Sequence, residues 1–362
     1  MEARDSAPPT IATLRRRLLC WYDGNRRDLP WRRSSDPYAI WVSEIMLQQT
    51  RVAVVIERYR AFTERFPTLV SLALASEEEV LALWSGLGYY RRARLLHKAA
   101  QFVVAQHNGN LPATAAELRA LPGIGSYTAA AIASIAHNEV VAVVDGNVER
   151  VLCRLEGWEG GAVRGSAARR RTLDELASRL VSPQRPGDFN QALMELGATM
   201  CTPRNPQCLA CPVAAHCATR GEHKTPPRPA MLSREIAHAL VLRPARRGKK
   251  GTSHEDEVLL ERRSARLTVM PGLWQLPALR DAAVPEGVLR MTVRHAIMQV
   301  NYYVRIRSVD QREVDQLTER SGVRRWVPLG EAGQMALTGL TRKVLIRARL
   351  FHPRQAGARA AD

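Results

Sequence analysis

Four of the six cysteines in this 362-residue chain, Cys201, Cys208, Cys211 and Cys217, stand in the order C-x6-C-x2-C-x5-C. Thiols at fixed short spacing either ligate a metal or pair as disulfides. No apolar leader precedes Pro30, which points to an intracellular, reducing setting and so to ligands. Tetrahedral sulfur ligation suits zinc as well as iron–sulfur centres. Zinc ribbons usually offer two separated C-x2-C knuckles, whereas only Cys208 and Cys211 form one here. The spacing therefore favours one [4Fe–4S] cluster and leaves zinc open.

Two carboxylates suggest acid–base work. On a helix starting near Pro37, Glu44 falls in line with Ile40 and Trp41 one turn before it and with Leu47 and Gln48 one turn after. A carboxyl group on that mostly apolar stripe loses hydration, keeps its proton more readily, and can act as a proton donor at neutral pH. The bland alternative, equally compatible with the periodicity, is a carboxylate at the margin of the apolar face paired with an arginine. Asp145 follows the apolar run Val140–Val144 and precedes a helical pattern, the place of an N-cap. A cap at a helix N-terminus is held anionic. A protonated Glu44 with an anionic Asp145 suits cleavage of a glycosidic bond, one group protonating the leaving group and the other stabilising charge on the sugar.

In Leu121-Pro122-Gly123-Ile124-Gly125-Ser126-Tyr127-Thr128, Gly123 and Gly125 at a helix entrance leave backbone N–H groups uncovered and open to phosphate. A lone G-x-G would read as a tight turn between helices. The helical pattern Ala115–Leu121 before it and the small-residue pattern after it fit a helix–hairpin–helix, which grips DNA backbone without reading sequence. Charge agrees: 53 basic against 35 acidic residues leave +18, and both parts of the chain are basic, 30 against 23 over residues 1–235 and 23 against 12 over 236–362. Such an excess favours a polyanionic partner, and no apolar run approaches the ~18–20 residues of a membrane span.

Helical spacing dominates up to Cys217, over Leu14–Tyr22, Tyr38–Tyr59, Glu77–Trp84, Arg92–Gln106, Thr128–His137 and Leu173–Leu180. Gly221–Pro229 reads as a linker. Beyond it Ile236–Leu242, Glu257–Glu261, Met291–Val293 and Gln299–Ile306 read as strands. Arg243–Thr252 reads as a basic loop, and Cys20 and Cys153 as buried thiols.

Together these residues resemble the MutY family of adenine DNA glycosylases, within the helix–hairpin–helix iron–sulfur DNA glycosylases. The matching runs are Leu29-Pro30-Trp31-Arg32, Ser43–Thr50, Trp84–Tyr90, Leu121–Ile132, Val144–Leu152, Phe189-Asn190-Gln191 and the four cysteines, in collinear order. The resemblance implies an all-α helix–hairpin–helix glycosylase core with a [4Fe–4S] loop over residues 1–220. Within it, a six-helix barrel spans about 36–140, and the N-terminal helix joins 141–217 in the cluster module. A linker (221–235), a smaller α+β Nudix-like recognition domain (236–350) and a disordered basic tail (351–362) follow.

It further implies a monomeric, intracellular base-excision enzyme acting on double-stranded DNA that carries adenine opposite 8-oxoguanine or guanine. Glu44 would protonate N7 of the flipped adenine, Asp145 would stabilise the oxocarbenium ion or attack C1′, and Asn147 would orient Asp145 or the water. Bifunctional relatives carry a Schiff-base lysine where Tyr127 stands, so the chain is expected to be monofunctional, with Tyr127 supporting the Asp145 region by a hydrogen bond. Trp31, Arg32 and Gln191 match positions near the flipped base. Gln49 and Tyr89 match residues entering the stack around the opposite purine, and core packing is the alternative for Trp31 and Tyr89. Arg91, Arg92 and Arg94 add charge beside the aromatics, a DNA-binding combination.

Met270–Pro277 resembles a stretch of the Nudix-like domain, yet no carboxylate cluster follows Gly272, so pyrophosphatase chemistry is not expected. After Arg294-His295 the family often has Phe-Ser-His, whereas this chain reads Ala296-Ile297-Met298-Gln299. Preference for 8-oxoguanine is then either weaker or made by other residues. The competing functions are an endonuclease III-type lyase on damaged pyrimidines, a mismatch thymine glycosylase, and a non-enzymatic DNA-binding scaffold.

Overall fold

A computed structural model describes residues 10–158, 167–223, 230–244, 255–319 and 322–350. Residues 224–229 of the expected linker, most of the basic loop and the whole 351–362 tail lie outside the described residues, and the last residues of the expected 221–235 linker belong instead to the strand Leu232–Leu240. The chain forms two compact units, one from Met1–Gln49, Thr68–Ala73 and Lys98–Arg228, the other from Thr50–Pro67, Leu74–His97 and Pro229–Asp362. No described helix is long and apolar enough to cross a membrane.

The first unit is helical. Its central helix, Pro37–Leu47, starts on a proline with Asp36 as N-cap, whose carboxylate accepts from Tyr38 N (3.0 Å) and Ala39 N (3.3 Å). Every residue from Ile40 to Met46 is buried, so this helix is core on all sides and Glu44 is enclosed with it. Against it packs Ser126–His137, whose run of alanines permits close approach and which ends at Asn138 in the left-handed region (φ +55°). The N-terminal helix Ile11–Asn25 contributes Leu14, Leu18 and Tyr22 to a core shared with Val148, Val151 and Leu152 of Gly146–Leu155, Leu173 and Leu176 of Ala167–Leu180, and Phe189, Leu193 and Leu196 of Pro186–Thr199. Cys153 is buried as expected, but Cys20 is exposed, because it falls off the Leu14–Leu18–Tyr22 stripe.

The expected helical stretch Tyr38–Tyr59 is broken. One helix stops at Leu47 and the next runs Val52–Arg65, with Gln49 in the left-handed region (φ +55°) between them. Neither glycine nor proline marks the break, so spacing alone gave no warning of it.

In the second unit, Val300–Ser308 is central to a three-stranded sheet, parallel to Leu232–Leu240 and antiparallel to Leu289–Ile297. The expected strands are present and longer than the apolar patterning suggested, because exposed residues such as Leu232–Glu235 are held by backbone pairing rather than by burial. A second sheet is built on Glu257–Arg262, antiparallel to Leu242–Arg243, Trp274–Gln275 and Arg324–Pro328. Leu260, Trp274, Val293, Val304 and Val327 from these strands share a core with Leu340, Val344 and Leu345 of the helix Gly339–Arg347. The result is a helical unit and a mixed α+β unit.

Pro186–Thr199 lies close to two neighbours through its glycines. A Cβ on Gly187 would sit 2.6 Å from Ser134 O, and one on Gly197 would sit 2.7 Å from Asn147 Cβ. Gly187→Ala is therefore expected to lower stability by about 1–3 kcal/mol, measured as a lowered denaturation midpoint; an unchanged midpoint would show that this helix contact is slack.

Candidate active site

Glu44 is 6% exposed. Among the described residues its one hydrogen bond is from the Tyr127 hydroxyl, which donates to Oε2 at 2.7 Å. Burial raises the Glu44 carboxyl to about 7; the Tyr127 bond opposes that rise, the charge of Asp145 adds to it and that of Arg32 opposes it. Tyr127 is itself pushed well above the ordinary phenol range, first by burial and then by the charge of Glu44, so it stays a donor. The hydrogen bond expected of Tyr127 goes to Glu44 and not to Asp145, whose charge nevertheless acts on Tyr127. Tyr127 lies in the first turn of Ser126–His137, the helix that packs on the one carrying Glu44.

Asp145 is the N-cap of Gly146–Leu155. Its Oδ1 accepts from Asn147 N (2.9 Å) and Val148 N (2.7 Å), and its Oδ2 from Asn147 Nδ2 (3.1 Å). Asn147 thus holds the second oxygen, and its own Oδ1 accepts from Arg150 Nη2 at 2.9 Å. Arg150 continues to Gly197 O (2.6 Å) and Cys201 O (2.8 Å), so the cap is braced against the first cysteine of the loop. On the approach to Asp145, Asn190 grips the chain: its Oδ1 accepts from Val143 N (3.1 Å), and its Nδ2 donates to Val141 O (2.8 Å) and Ser134 Oγ (3.0 Å).

A second buried carboxylate behaves oppositely. Although burial pushes Glu195 up, hydrogen bonds from Arg27 and Arg32 bring it down to about 2. Arg27 donates through Nε (2.7 Å) and Nη2 (2.9 Å), and Arg32 through Nη2 (2.8 Å). Arg32 also stacks over Tyr22, 5.5 Å from the ring centroid. Trp31 is buried in the short turn Pro30–Arg32, and Gln191 is half-buried on the helix of Asn190 and Glu195. Asn190 stands in the matched run Phe189-Asn190-Gln191 but was given no role there, and Arg27 and Glu195 were not singled out from sequence; Glu195 shares the helix of Gln191, and a carboxylate one turn beyond it was the available signal.

Gly123 has φ +77°, a conformation that favours glycine, and Ile124 N bonds Leu121 O at 3.2 Å to close the turn. Gly125 is the N-cap of Ser126–His137, with no side-chain cap on that helix and nothing within 4 Å of an added Cβ. The helix N-terminus is open to an anion.

In the other unit, Tyr89 is 51% exposed with φ +48°, and Arg92 stacks on both its ring and that of the buried Trp84, 5.6 Å from each centroid. Core packing is ruled out for Tyr89. It and Gln49 both occupy a backbone region that costs non-glycine residues roughly 1 kcal/mol or more, as residues at functional sites often do.

Cys201, Cys208, Cys211 and Cys217 line one cavity together with Arg154. Arg154 donates to Cys201 Sγ (3.2 Å) and to the carbonyls of Thr202 (2.8 Å) and Pro203 (3.2 Å), and the Arg220 N–H faces Cys217 Sγ (3.5 Å). Among the described residues no three potential ligands converge as they would on a single ion. Four thiols around a shared cavity, with N–H donors aimed at sulfur, suit a thiolate-held metal centre.

Residues 42–177 match the HhH-GPD superfamily of base excision DNA repair proteins, and 201–217 match the iron-sulfur binding domain of endonuclease III. The cofactor of this segment, which contains all four cysteines, is a [4Fe–4S] cluster. An adenine DNA glycosylase of Rattus norvegicus is 53% identical over 216 residues, covering 57% of this chain and 42% of that protein. One of Mycolicibacterium smegmatis is 46% identical over 207 residues, covering 56% of this chain and 68% of that protein. A solved thermostable thymine-DNA glycosylase is 30% identical with a TM-score of 0.53, covering 58% of this chain and 96% of that one. The chain thus spans less than half the length of the rat protein, and 40% of the human one.

Raising Glu44 from 4.5 to about 7 on folding has a stability consequence. Folding favours the protonated form, so this contribution is full below pH 4.5 and is lost as pH rises through about 7. Glu44→Gln, whose amide oxygen can still accept from Tyr127, should therefore gain stability over the parent at pH 8, on the order of 1–3 kcal/mol. At pH 4 the two should be close in stability. Denaturation midpoints at both pH values check this.

Proposed function

The chain belongs to the adenine DNA glycosylase family, and from that premise we propose that it is a monofunctional DNA N-glycosylase. It flips adenine out of double-stranded DNA where it faces 8-oxoguanine or guanine and hydrolyses its glycosidic bond. The observation that carries the reading is the buried Glu44 carboxyl, addressed by the Tyr127 hydroxyl at 2.7 Å and, among the described residues, by no guanidinium hydrogen bond, with burial raising it to about 7. Such a group holds a proton at neutral pH and can deliver it to N7 of adenine as the C1′–N9 bond breaks. Asp145, fixed by two backbone N–H groups and Asn147, faces the positive charge that develops on the sugar.

Tyr127 has no amine, so no imine with C1′ forms and strand cleavage is not part of the cycle. Trp31 and Gln191 border the flipped base, while Arg32 acts from behind, through Glu195. Gly123 and Gly125 hold backbone phosphate at the open helix N-terminus, and Gln49 and Tyr89 enter the stack. When bound, the cluster supplies structure: it ties the Cys201–Cys217 loop, whose Arg204 is exposed, and Arg150 links that loop to Asn147.

The C-terminal part of the α+β unit, residues 236–350, is the Nudix-like reader of the opposite purine. It would act through the Leu289–Ile297/Val300–Ser308 hairpin, whose turn presents Met298, 73% exposed at φ +53°. A mismatch thymine glycosylase is the second reading, favoured by the 30% identity to such an enzyme. The higher identity to adenine enzymes and the presence of Glu44 weigh against it.

Single-turnover base release from duplexes carrying A opposite 8-oxoguanine, A opposite G, or T opposite G tests the assignment. The expected result is release of adenine only, strand breaks only after hot alkali, and a loss of about 10²–10⁴-fold in Glu44→Gln. Thymine release, or breaks without alkali, contradicts it. The wild-type rate should fall as pH rises past about 7, where Glu44 loses its proton. In Tyr127→Phe, which removes the bond that favours the carboxylate, that fall should move to higher pH.

A further inference from the structure

Within the α+β unit, the helix Val52–Arg65 carries Arg58 to the loop Trp84–Tyr90. The half-buried Arg58 guanidinium lies against Gly86, with Nη2 3.4 Å and Nε 3.7 Å from where a Cβ would stand on that residue. Gly86 has φ +100°, a backbone conformation that disfavours any side chain there. Among the described residues Arg58 donates no hydrogen bond and forms no ion pair; Glu57, its chain neighbour, is exposed and acts only through its charge.

A second guanidinium stands at the same loop. Arg342, buried on Gly339–Arg347, donates from Nε to Ser85 Oγ (2.8 Å) and from Nη2 to Gly333 O (3.0 Å). Burial and the like charge of Arg58 draw Arg342 down to about 10. The Tyr90 hydroxyl between them donates to Leu337 O at 2.9 Å and is neutral. Two cations beside a glycine loop, one without a counter-ion, make a place where an anion relieves repulsion as well as gaining attraction. Tyr89, three residues beyond Gly86, is the exposed ring on this loop.

We propose that Arg58 is a phosphate-oxyanion ligand, backed by the charge of Arg342, and that its occupant is a backbone phosphodiester of the duplex into which Tyr89 enters. This rests on the reading of the chain as a DNA glycosylase. Arginine at this position contributes through charge and the geometry of its fork, and it is not assigned to the reaction itself.

The test is binding of the whole chain to a duplex with A opposite 8-oxoguanine, by fluorescence anisotropy over a series of KCl concentrations, for wild type, Arg58→Gln and Arg58→Lys. Arg58→Gln should bind about 3–10-fold more weakly at low salt, with the slope of log K against log salt smaller by about 1, whereas Arg58→Lys should keep the slope. An unchanged slope overturns the assignment, and an unchanged slope with a lowered melting temperature shows Arg58 to be structural. In a second arm, melting is followed in inorganic phosphate against chloride at equal ionic strength. Stabilisation of wild type but not of Arg58→Gln, together with an unchanged duplex slope, overturns DNA as the source in favour of free phosphate. If wild type neither binds the duplex nor releases adenine, the glycosylase reading has failed and the phosphate arm alone decides on Arg58.

Discussion

A carboxyl group removed from water must either meet a cation or keep its proton. Both solutions occur in one unit of this protein. Glu195 is buried against Arg27 and Arg32 and is held anionic. Glu44 is buried with a phenol as its hydrogen-bonding partner and is raised to about 7. The guanidinium that could have neutralised Glu44, that of Arg32, is committed to Glu195 and to the Tyr22 ring. Acid function at Glu44 therefore depends on a charge balance made some distance from it.

Several close contacts keep that arrangement in place. Pro186–Thr199 supplies Glu195, Asn190 and the two glycines that allow it to lie against its neighbours. Through Asn190 it fixes the chain entering Asp145, and through Gly197 O it receives Arg150, which in turn orients Asn147. One helix thus sets the positions of both the acid's environment and the anion. The cysteine loop joins the same network at Cys201 O, so the order of that loop and the placement of Asp145 are mechanically linked.

What was legible in sequence was local. Asp145 as a cap follows from its place between an apolar run and a helical pattern, and its bonds to Asn147 N and Val148 N are made within three residues. The glycine hairpin and the cysteine loop are also short-range patterns. The burial of Glu44 was readable from the apolar stripe, but the choice between a retained proton and an arginine partner was not. That choice depended on Tyr127, 83 positions away, and on Glu195 capturing Arg32 across 163. For the same reason the Glu44 partner of the Tyr127 hydroxyl was not readable. The break at Gln48–Arg51 was invisible because the residues there are neither glycine nor proline, and tertiary packing overrode their helical spacing.

The retained proton on Glu44 is the claim on which the chemical account stands, and it can be observed without substrate. With glutamate labelled at its side-chain carboxyl carbon, the resonance lost in Glu44→Gln identifies Glu44, and its shift can be followed from pH 4 to 9. A midpoint near 7 is the predicted result. A midpoint near the ordinary 4.5 would mean that Glu44 is ionised at neutral pH and cannot be the acid.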